Sequence, residues 1–484
     1  MRGEQSNSRG FMLRCLAAAV FAAALSGAVA AAPVNGVPCY VDGFETPASC
    51  VSITVPLDYS APSGETIEVT AAIVPSTTAR PAPDPLFVFA GGPGQAATGM
   101  GPWLYTAFGP ARRERDIVLF DIRGTGMSGA LACSFSLAAE RDTAGAFKRD
   151  AAACAAKIGP KAVFYSSREI VEDIERFRAA MGYAKINMWG GSFGTRVAQH
   201  YTRRYGARVR AVVLDAATPV DDSIFVSAPR YGQAALERMF DDCASDKACA
   251  TAFPNLRADF DAILKLADAG PISTDIVDPR TGRVQRIDID RDAAAGFVRG
   301  ALYAGFTRSV TPYAIAQGAR GDFGPLAALG SMTGEWSVET MSLGSMLGIL
   351  CGEDQARDLG EKSAGHSFGF MRDSYIRIFA GACTVWPYRA LPPEMFRAFR
   401  SNVPAMAISG AADPVTPPTA GEGALKMFGA RVHVVIPNGF HTNSSSKCLA
   451  DLIGSFLHDP AKGGRDHTCV ARIAPPRFIV SPTL

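Results

Sequence analysis

Short uninterrupted apolar runs alternate with segments of helical periodicity between residues 85 and 216. A strand that is buried on both faces is apolar throughout, and parallel neighbours need a crossover connection that is usually a helix. The alternation therefore predicts an α/β chain with a mostly parallel central sheet flanked by helices. The predicted strands are 85–90, 116–126, 185–192 and 209–216, and the predicted helices are 168–182 and 193–206.

Two further parts of the chain extend this sheet. The β-rich runs at 51–57 and 66–74 are joined by a turn-like segment, which predicts an antiparallel hairpin. Near the C-terminus, strand patterns return at 403–409 and 431–437, and 451–459 has the pattern of a closing helix. We therefore expect strands from the C-terminal part of the chain to complete the sheet.

The stretch between these two parts has a different pattern. Helical periodicity dominates it, and one polar segment at 279–290 is compatible with a small hairpin. We interpret this stretch as a mainly helical cap that is inserted into the α/β core. The predicted organisation is a signal peptide at 1–32, a core formed by 33–221 and 401–484, and a cap at 222–400.

The N-terminus has the layout of a secretory signal peptide. Three arginines precede an uncharged, alanine-rich run at 15–29, and small residues follow before Pro33. A membrane anchor is the alternative, but a run of about 15 residues is short for a span that needs roughly 20. We therefore predict cleavage near residue 32, export to the periplasm or the medium, and no stable membrane insertion afterwards.

The cysteine count fits an exported protein. Removal of the predicted signal peptide takes Cys15 and leaves ten of the 11 cysteines, an even number that an oxidising compartment would pair. Pairing in chain order closes five short loops, but the sequence alone leaves the connectivity open. Metal binding is the alternative, yet CxxC and HExxH motifs are absent, so we predict no metal site. The ten cysteines are Cys39, Cys50, Cys133, Cys154, Cys243, Cys249, Cys351, Cys383, Cys448 and Cys469.

The overall charge argues against some classes of partner. The chain has 48 basic and 46 acidic residues, a formal net charge of +2, and no basic block. Nucleic-acid-binding proteins usually carry a strongly positive patch or stripe. We therefore expect neither nucleic acid nor an anionic membrane as a partner, and the sequence implies no cofactor. The oligomeric state is left open by the sequence.

The segment from Gly190 to Gly194 matches the G-x-S-x-G pattern, with Ser192 at its centre. It follows a predicted strand and opens a predicted helix, which is the context of a nucleophile elbow. In that tight turn the glycines make room for the backbone, and the serine hydroxyl is lifted above the sheet. A plain turn between a strand and a helix is the alternative, because glycine and serine fill many loops. We predict that Ser192 is a nucleophile.

A serine nucleophile needs a base, and the base needs an orienting carboxylate. His441 lies just beyond the strand pattern at 431–437, a position that suits the base better than those of the other five histidines. Asp413 directly follows the strand pattern at 403–409, from where a carboxylate can reach His441. The alternatives are a solvated loop histidine and a turn-forming aspartate. The order Ser192, Asp413, His441 is the one expected of a fold with this kind of elbow.

Backbone N–H donors are needed to stabilise the oxyanion that forms when a serine attacks a carbonyl group. One donor is predicted at Phe193, which follows the nucleophile, and the second lies in the glycine loop after the strand at 85–90. Gly92 is the first choice for the second donor and Gly91 is the next. A tight turn selected only for its shape is the alternative.

Five motifs in combination resemble one known family. They are GGPGQ at 91–95, DIRGTGMS at 121–128, GGSFGT at 190–195, the loop that contains Asp413, and GFHTN at 439–443. Together they are similar to the proline iminopeptidase and tripeptidyl aminopeptidase family of α/β-hydrolases, over about residues 40 to 480. Relatives carry a histidine before the glycine loop, where this chain has Ala90, so any role of that histidine is absent. By the same resemblance, Asp121 and Arg123 are expected to be structural supports.

The resemblance implies a cap that selects short peptides with a free N-terminus. Such enzymes bind the α-ammonium group with carboxylates of the cap, and the stretch at 350–354 resembles the one that carries such an acid. Glu353 is therefore the candidate amine-binding residue and Asp354 the next choice, because a buried cation needs an opposite charge. The alternative for either residue is a solvated loop acid without a role in binding.

The candidate residues and the resemblance together predict acyl transfer to water through an acyl-enzyme on Ser192. The expected substrate is an unblocked peptide that is cut near its N-terminus. A carboxylesterase on the same fold is the first alternative, and a non-catalytic binding protein with this fold is the second. The presence of both a nucleophile and a base argues against the second alternative.

Overall fold

The computed structural model describes residues 36–133, 142–277, 282–355, 357 and 368–481, and for residues 334–340 it describes the backbone only. The predicted signal peptide therefore lies outside the described residues. Within the described parts of the chain, no helix is both long and apolar enough to cross a membrane.

The described residues form one large sheet and one small hairpin. The strands are β1 (Val37–Cys39), β2 (Ala48–Pro56), β3 (Thr66–Val74), β4 (Leu86–Phe89), β5 (Ile117–Phe120), β6 (Ile186–Gly191), β7 (Val209–Asp215), β8 (Ile272–Val277), β9 (Val284–Ile289), β10 (Ala405–Gly410) and β11 (Arg431–Ile436). The large sheet has the order β1-β2-β3-β5-β4-β6-β7-β10-β11. Its first four members pair antiparallel, and all pairs from β5 to β11 are parallel. The mostly parallel sheet predicted from the sequence is confirmed.

Helices cover the sheet and form most of the chain between β7 and β10. They are α1 (Trp103–Arg112), α2 (Thr143–Ile158), α3 (Ser167–Ala180), α4 (Phe193–Tyr205), α5 (Ile224–Ser245), α6 (Lys247–Ala252), α7 (Leu256–Ala269), α8 (Arg291–Ala301), α9 (Gly305–Gly318), α10 (Gly324–Thr340), α11 (Leu343–Leu350), α12 (Gly381–Cys383), α13 (Pro418–Leu425) and α14 (Lys447–His458). Of the helices outside the predicted cap, α1, α2 and α13 were not predicted; glycine and proline interrupt the patterns of α1 and α13.

Apolar side chains cover both faces of the sheet, and β4, β5 and β6 are buried at every position. On one face, Phe87 and Phe120 pack against Phe177 of α3, with ring centroids 6.0 and 5.4 Å apart. On the other face, Trp189 packs against Phe108 of α1 at 5.2 Å. The central strands are therefore apolar throughout because helices cover them on both sides.

The chain between β7 and β10 has an apolar core of its own, which includes Phe260 of α7, Val298 of α8 and Ile315 of α9. The antiparallel hairpin of β8 and β9 packs on this core through Ile272 and Ile289. The polar segment predicted as a hairpin thus supplies only the second strand, since β8 precedes it. The boundaries of the cap at 222 and 400 stay predictions.

The ten cysteines of the described residues form five disulfides, each between neighbours in chain order. The bridges are Cys39–Cys50, Cys133–Cys154, Cys243–Cys249, Cys351–Cys383 and Cys448–Cys469. The pairing that the sequence left open is therefore the chain-order one. Disulfides persist in oxidising compartments and are rare in the cytosol of mesophiles.

Candidate active site

Ser192 lies at a sharp turn between β6 and α4, and its backbone is strained, with φ 52° and ψ −121°. The flanking glycines are sterically required. A Cβ atom on Gly190 would lie 2.3 Å from the carbonyl oxygen of Gly194, and one on Gly194 would lie 2.2 Å from that of Phe89. The Ser192 side chain makes no capping hydrogen bond to α4, so its hydroxyl remains available. The turn has the geometry of the predicted nucleophile elbow.

Asp413 and His441 follow the adjacent parallel strands β10 and β11. The Nδ1 atom of His441 lies 2.9 Å from Oδ2 and 3.1 Å from Oδ1 of Asp413. Within the described residues, every side-chain hydrogen bond of the His441 ring uses Nδ1. Its Nε2 atom is therefore left for a proton from a nucleophile.

The carboxylate of Asp413 is buried and held in place by its own loop. It accepts hydrogen bonds from the N–H groups of Val415 and Thr416 at 2.8 and 2.9 Å, and from the Thr416 hydroxyl at 2.7 Å. Burial alone would raise the pKa of Asp413, but His441 and the Thr416 donors outweigh it and lower the pKa below its usual value. At a pH above the pKa that Asp413 has in the unfolded chain, its ionised carboxylate therefore stabilises the fold. This contribution is lost as the pH falls through the lower pKa that Asp413 has in the folded protein.

Asp215, at the end of β7, joins the Ser192 turn to the His441 loop. Its carbonyl oxygen accepts the N–H of Ser192 at 2.9 Å. Its buried carboxylate accepts the N–H groups of Asn443 and Ser444, each at 2.9 Å. Burial raises the pKa of Asp215, and these donors oppose that effect. Asp215 was not among the predicted site residues, although its position at the end of a predicted strand was a usable signal.

Two of the predicted oxyanion donors, Phe193 and Gly91, lie next to Ser192. Phe193 is the first residue of α4, so its N–H has no intrahelical acceptor. Gly91 lies against the nucleophile, since a Cβ atom on it would be 3.0 Å from Cβ of Ser192. Gly92 adopts φ +104°, and a Cβ atom on it would lie 2.8 Å from the backbone nitrogen of Gly94. The glycine loop therefore lies where the prediction requires, and its donor role stays a prediction.

Replacing Gly92 with alanine is expected to lower kcat about 100- to 1000-fold, because the loop must shift and the oxyanion donor is displaced. Gly99 is a matched control in the same loop region, because a Cβ atom there meets nothing closer than 3.7 Å. Steady-state kinetics of Gly92→Ala and Gly99→Ala check this. Equal activities for the two variants would contradict the assignment of the loop.

Asp121 and Arg123 have structural partners in the described residues. Asp121 accepts hydrogen bonds from the N–H and hydroxyl of Thr98 at 3.0 and 2.7 Å and from the N–H of Met127 at 2.9 Å, which ties two loops near the site together. Arg123 forms a fully buried, two-pronged contact with Asp173, with both distances 2.6 Å. These contacts agree with the supporting role that was predicted.

Glu353 and Asp354 lie in a buried ion-pair cluster. The side chains of both are 0% exposed, and Arg196 of α4 contacts them at 2.9 and 3.2 Å. Glu353 also accepts the hydroxyl of Ser167, and Asp354 accepts the N–H of Ile224 at 3.0 Å. Burial raises the pKa of Glu353, and Arg196 opposes that effect. Neither carboxylate faces an open surface in this arrangement, and the amine-binding role stays a prediction.

Tyr303, between α8 and α9, contacts the candidate base directly. Its carbonyl oxygen accepts the N–H of His441 at 3.1 Å, and the two rings meet edge to face with centroids 5.0 Å apart. The hydroxyl of Tyr303 accepts a hydrogen bond from Arg299 of α8 at 3.0 Å. Sequence reasoning missed this contact, because no local pattern shows which cap residue reaches a loop some 140 positions later.

The ring of Tyr303 is expected to position the imidazole of His441. The variant Tyr303→Leu keeps the carbonyl but loses the ring contact, so kcat should fall about 10- to 100-fold with a smaller change in KM, as small misplacements of a base do. The variant Tyr303→Phe keeps the ring and should recover most of kcat. A KM effect alone, or no recovery in the phenylalanine variant, would argue against positioning through the ring.

Comparisons with known proteins agree with this geometry. The α/β hydrolase fold family matches residues 84–253, and the family described as TAP-like protein matches residues 369–469. The serine protease Hip1 of Mycobacterium tuberculosis is 23% identical over 482 residues, which cover 88% of each chain. The tripeptidyl aminopeptidase of Streptomyces lividans is 24% identical over 503 residues, 94% of this chain and 90% of that protein. Carboxylesterase B of Mycobacterium tuberculosis is 30% identical over 231 residues, 42% of this chain and 43% of that protein.

The matched segments fall on both parts of the candidate site. The first contains Ser192 and the second contains Asp413 and His441. The resemblance noted from the motifs agrees with the sheet order and with the turn at Ser192. It also agrees with the relatives that align over most of the chain. The chain therefore has the α/β-hydrolase fold, its C-terminal part is similar to TAP-like protein, and it is a serine hydrolase.

Proposed function

We propose that this serine hydrolase is an exported aminopeptidase, which releases N-terminal residues or short peptides through an acyl-enzyme on Ser192. The observation that carries the proposal is the pair of Asp413 and His441, 2.9 Å apart, on loops at the sheet edge where the Ser192 turn also lies. Ser192, Asp413 and His441 follow the parallel strands β6, β10 and β11 in the chain order of a hydrolase triad.

The geometry supports a two-step reaction. The Nε2 atom of His441 takes the proton of the Ser192 hydroxyl as its oxygen attacks the carbonyl carbon, and Asp413 stabilises the imidazolium that forms. The N–H groups of Phe193 and Gly92 stabilise the oxyanion. His441 then gives the proton to the leaving amine, which departs. A water molecule attacks the acyl-enzyme by the same route and restores Ser192.

The peptide substrate and the export are supported by different observations. A serine protease and a tripeptidyl aminopeptidase align with this chain over most of its length. The five disulfides fit a protein that functions in an oxidising compartment. The proposed substrate is therefore a short peptide with a free N-terminus, which the enzyme cleaves outside the cytoplasm.

A substrate panel tests the proposed activity. The panel contains mono-, di- and tripeptidyl anilides with a free N-terminus, the same compounds after N-acetylation, and simple acetyl and butyryl esters. We expect hydrolysis of at least one free-amine anilide, strong loss on N-acetylation, and no activity in Ser192→Ala. Turnover of the simple esters alone would overturn the peptidase proposal and leave an esterase.

Glu353→Gln tests the predicted amine site. If Glu353 binds the substrate ammonium group, the variant should lose most of the preference for free over N-acetylated anilides, by roughly 10- to 100-fold, since hydrogen bonds to charged groups are strong. Glu169→Gln is the matched control, because Glu169 is also buried and bonded to a serine, Ser166. An unchanged preference in Glu353→Gln would assign that residue to the buried ion-pair cluster alone.

A carboxylesterase on the same fold is the second candidate. It is favoured by the match to carboxylesterase B, which is limited to 42% of this chain. The same substrate panel separates the two activities.

A further inference from the structure

Arg299 of α8 differs from the other buried arginines of the described residues. Six of them pair with a carboxylate at distances of 2.5 to 3.8 Å, and Arg112 donates to Pro75 and Thr46 instead. Arg299 is 7% exposed and pairs with no carboxylate of the described residues. Its one side-chain hydrogen bond there goes to the Tyr303 hydroxyl. The six paired arginines are Arg115, Arg123, Arg178, Arg196, Arg308 and Arg357.

The guanidinium group of Arg299 is fixed between two aromatic rings. Its central carbon lies 5.2 Å from the ring centroid of Tyr303 and 4.7 Å from that of Tyr375. Burial opposes the charge, but Tyr303, Tyr375 and the nearby Asp413 outweigh it and raise the pKa of Arg299 above its usual value. The group therefore stays cationic, while Asp413 is already bonded to His441. A buried charge without a counter-ion is costly unless something else pairs with it.

The position of Arg299 indicates which part of a substrate could reach it. Tyr303 separates it from His441, whose ring is 5.0 Å from the Tyr303 ring. His441 delivers its proton to the leaving group, so the leaving fragment of a substrate passes close to the ring that Tyr303 contacts. A planar guanidinium with unused N–H groups matches a carboxylate better than any other common peptide group.

We infer that Arg299 binds a carboxylate on the leaving fragment of the substrate. The carboxylate has two sources, the C-terminus of a short peptide or an acidic side chain in the first leaving residue. This inference adds a specificity site to the proposed peptidase, but the same site would act on an ester with an acidic leaving group. Its test can therefore be separated from the test of peptidase activity.

The experiment compares kcat/KM for substrates that differ only in this carboxylate. One pair is a short peptide as free acid and as C-terminal amide, and a second pair is an amidated peptide with Glu or Gln as the first leaving residue. A third pair consists of esters of one acyl group with 3-hydroxybenzoate or 3-hydroxybenzamide as leaving group. Each pair is measured on the wild type, Arg299→Met, Arg299→Lys and Tyr303→Phe.

We expect the wild type to prefer the carboxylate about 10- to 100-fold in at least one pair. Arg299→Met should lose that preference, with a smaller effect on the neutral substrate, and Arg299→Lys should keep part of it. Tyr303→Phe removes the hydroxyl bonded to Arg299 but keeps the charge, so it should retain the preference. The pair that shows the effect identifies the source of the carboxylate.

Two results would overturn the inference. One is the absence of any carboxylate preference in the wild type, in all three pairs. This result does not depend on whether a variant folds. The other is an Arg299→Met variant that lowers both members of a pair equally, which would make Arg299 only a support for Tyr303. If the peptides are not cleaved but the ester pair shows an Arg299-dependent preference, this inference holds while the proposed peptidase activity fails.

Discussion

Replacing Ser192 with alanine is expected to lower kcat by about 10⁵- to 10⁶-fold, the loss seen when a serine hydrolase is left without its nucleophile. The reason is chemical, because the attacking oxygen is gone and only the oxyanion donors and substrate binding remain. Steady-state kinetics on the best substrate of the panel measure the loss. Thermal unfolding should be changed little, since the Ser192 side chain does not cap α4.

The matched control for this variant is Ser445→Ala. Ser445 is also half-buried and lies in the loop that follows His441, yet no role in the reaction is assigned to it. Its kcat should stay within a few-fold of the wild type. Retained activity in Ser192→Ala, or an equal loss in Ser445→Ala, would contradict the assignment of Ser192 as the nucleophile.

His441→Gln is expected to lower kcat to nearly the same extent, because without the base the Ser192 hydroxyl is a weak nucleophile. The double variant with Ser192→Ala should be hardly worse than either single one, as residues that act as a unit are not additive. His433→Gln is the matched control, since His433 lies on β11 of the same sheet and bonds Ser409 at 3.1 Å.

Kinetics of His441→Gln, His433→Gln and the double variant check this second prediction. Additive losses in the double variant would show that Ser192 and His441 act separately. A large loss in His433→Gln together with a small loss in His441→Gln would contradict the choice of base. Asp413→Asn should cost less than either, about 10⁴-fold, because it disturbs the tautomer of the histidine and leaves the nucleophile in place.

Local sequence patterns predicted the Ser192 turn because its cause is local. The strand, the glycine-flanked serine and the helix are consecutive in the chain, and a side chain on Gly190 or Gly194 would collide with the backbone. Asp413 and His441 were predictable for a related reason, since each lies in the loop after a strand and parallel neighbours bring their loops to the same edge.

Contacts between distant segments could not be predicted in this way. No pattern around Tyr303 or Arg299 shows that α8 ends against the His441 loop. Arg196 was likewise predicted only as part of a helix. Its pairing with Glu353 depends on how α4 packs against the segment that follows α11. Such pairings depend on the packing of the cap, which sequence periodicity does not determine.

The most direct test of the central claim is fluorophosphonate labelling of the intact protein followed by peptide mapping. Our account predicts one phosphonyl adduct, on Ser192, formed by the wild type and by His433→Gln but strongly slowed in His441→Gln. An adduct on a different serine, or equal labelling rates with and without the His441 imidazole, would contradict the proposed site.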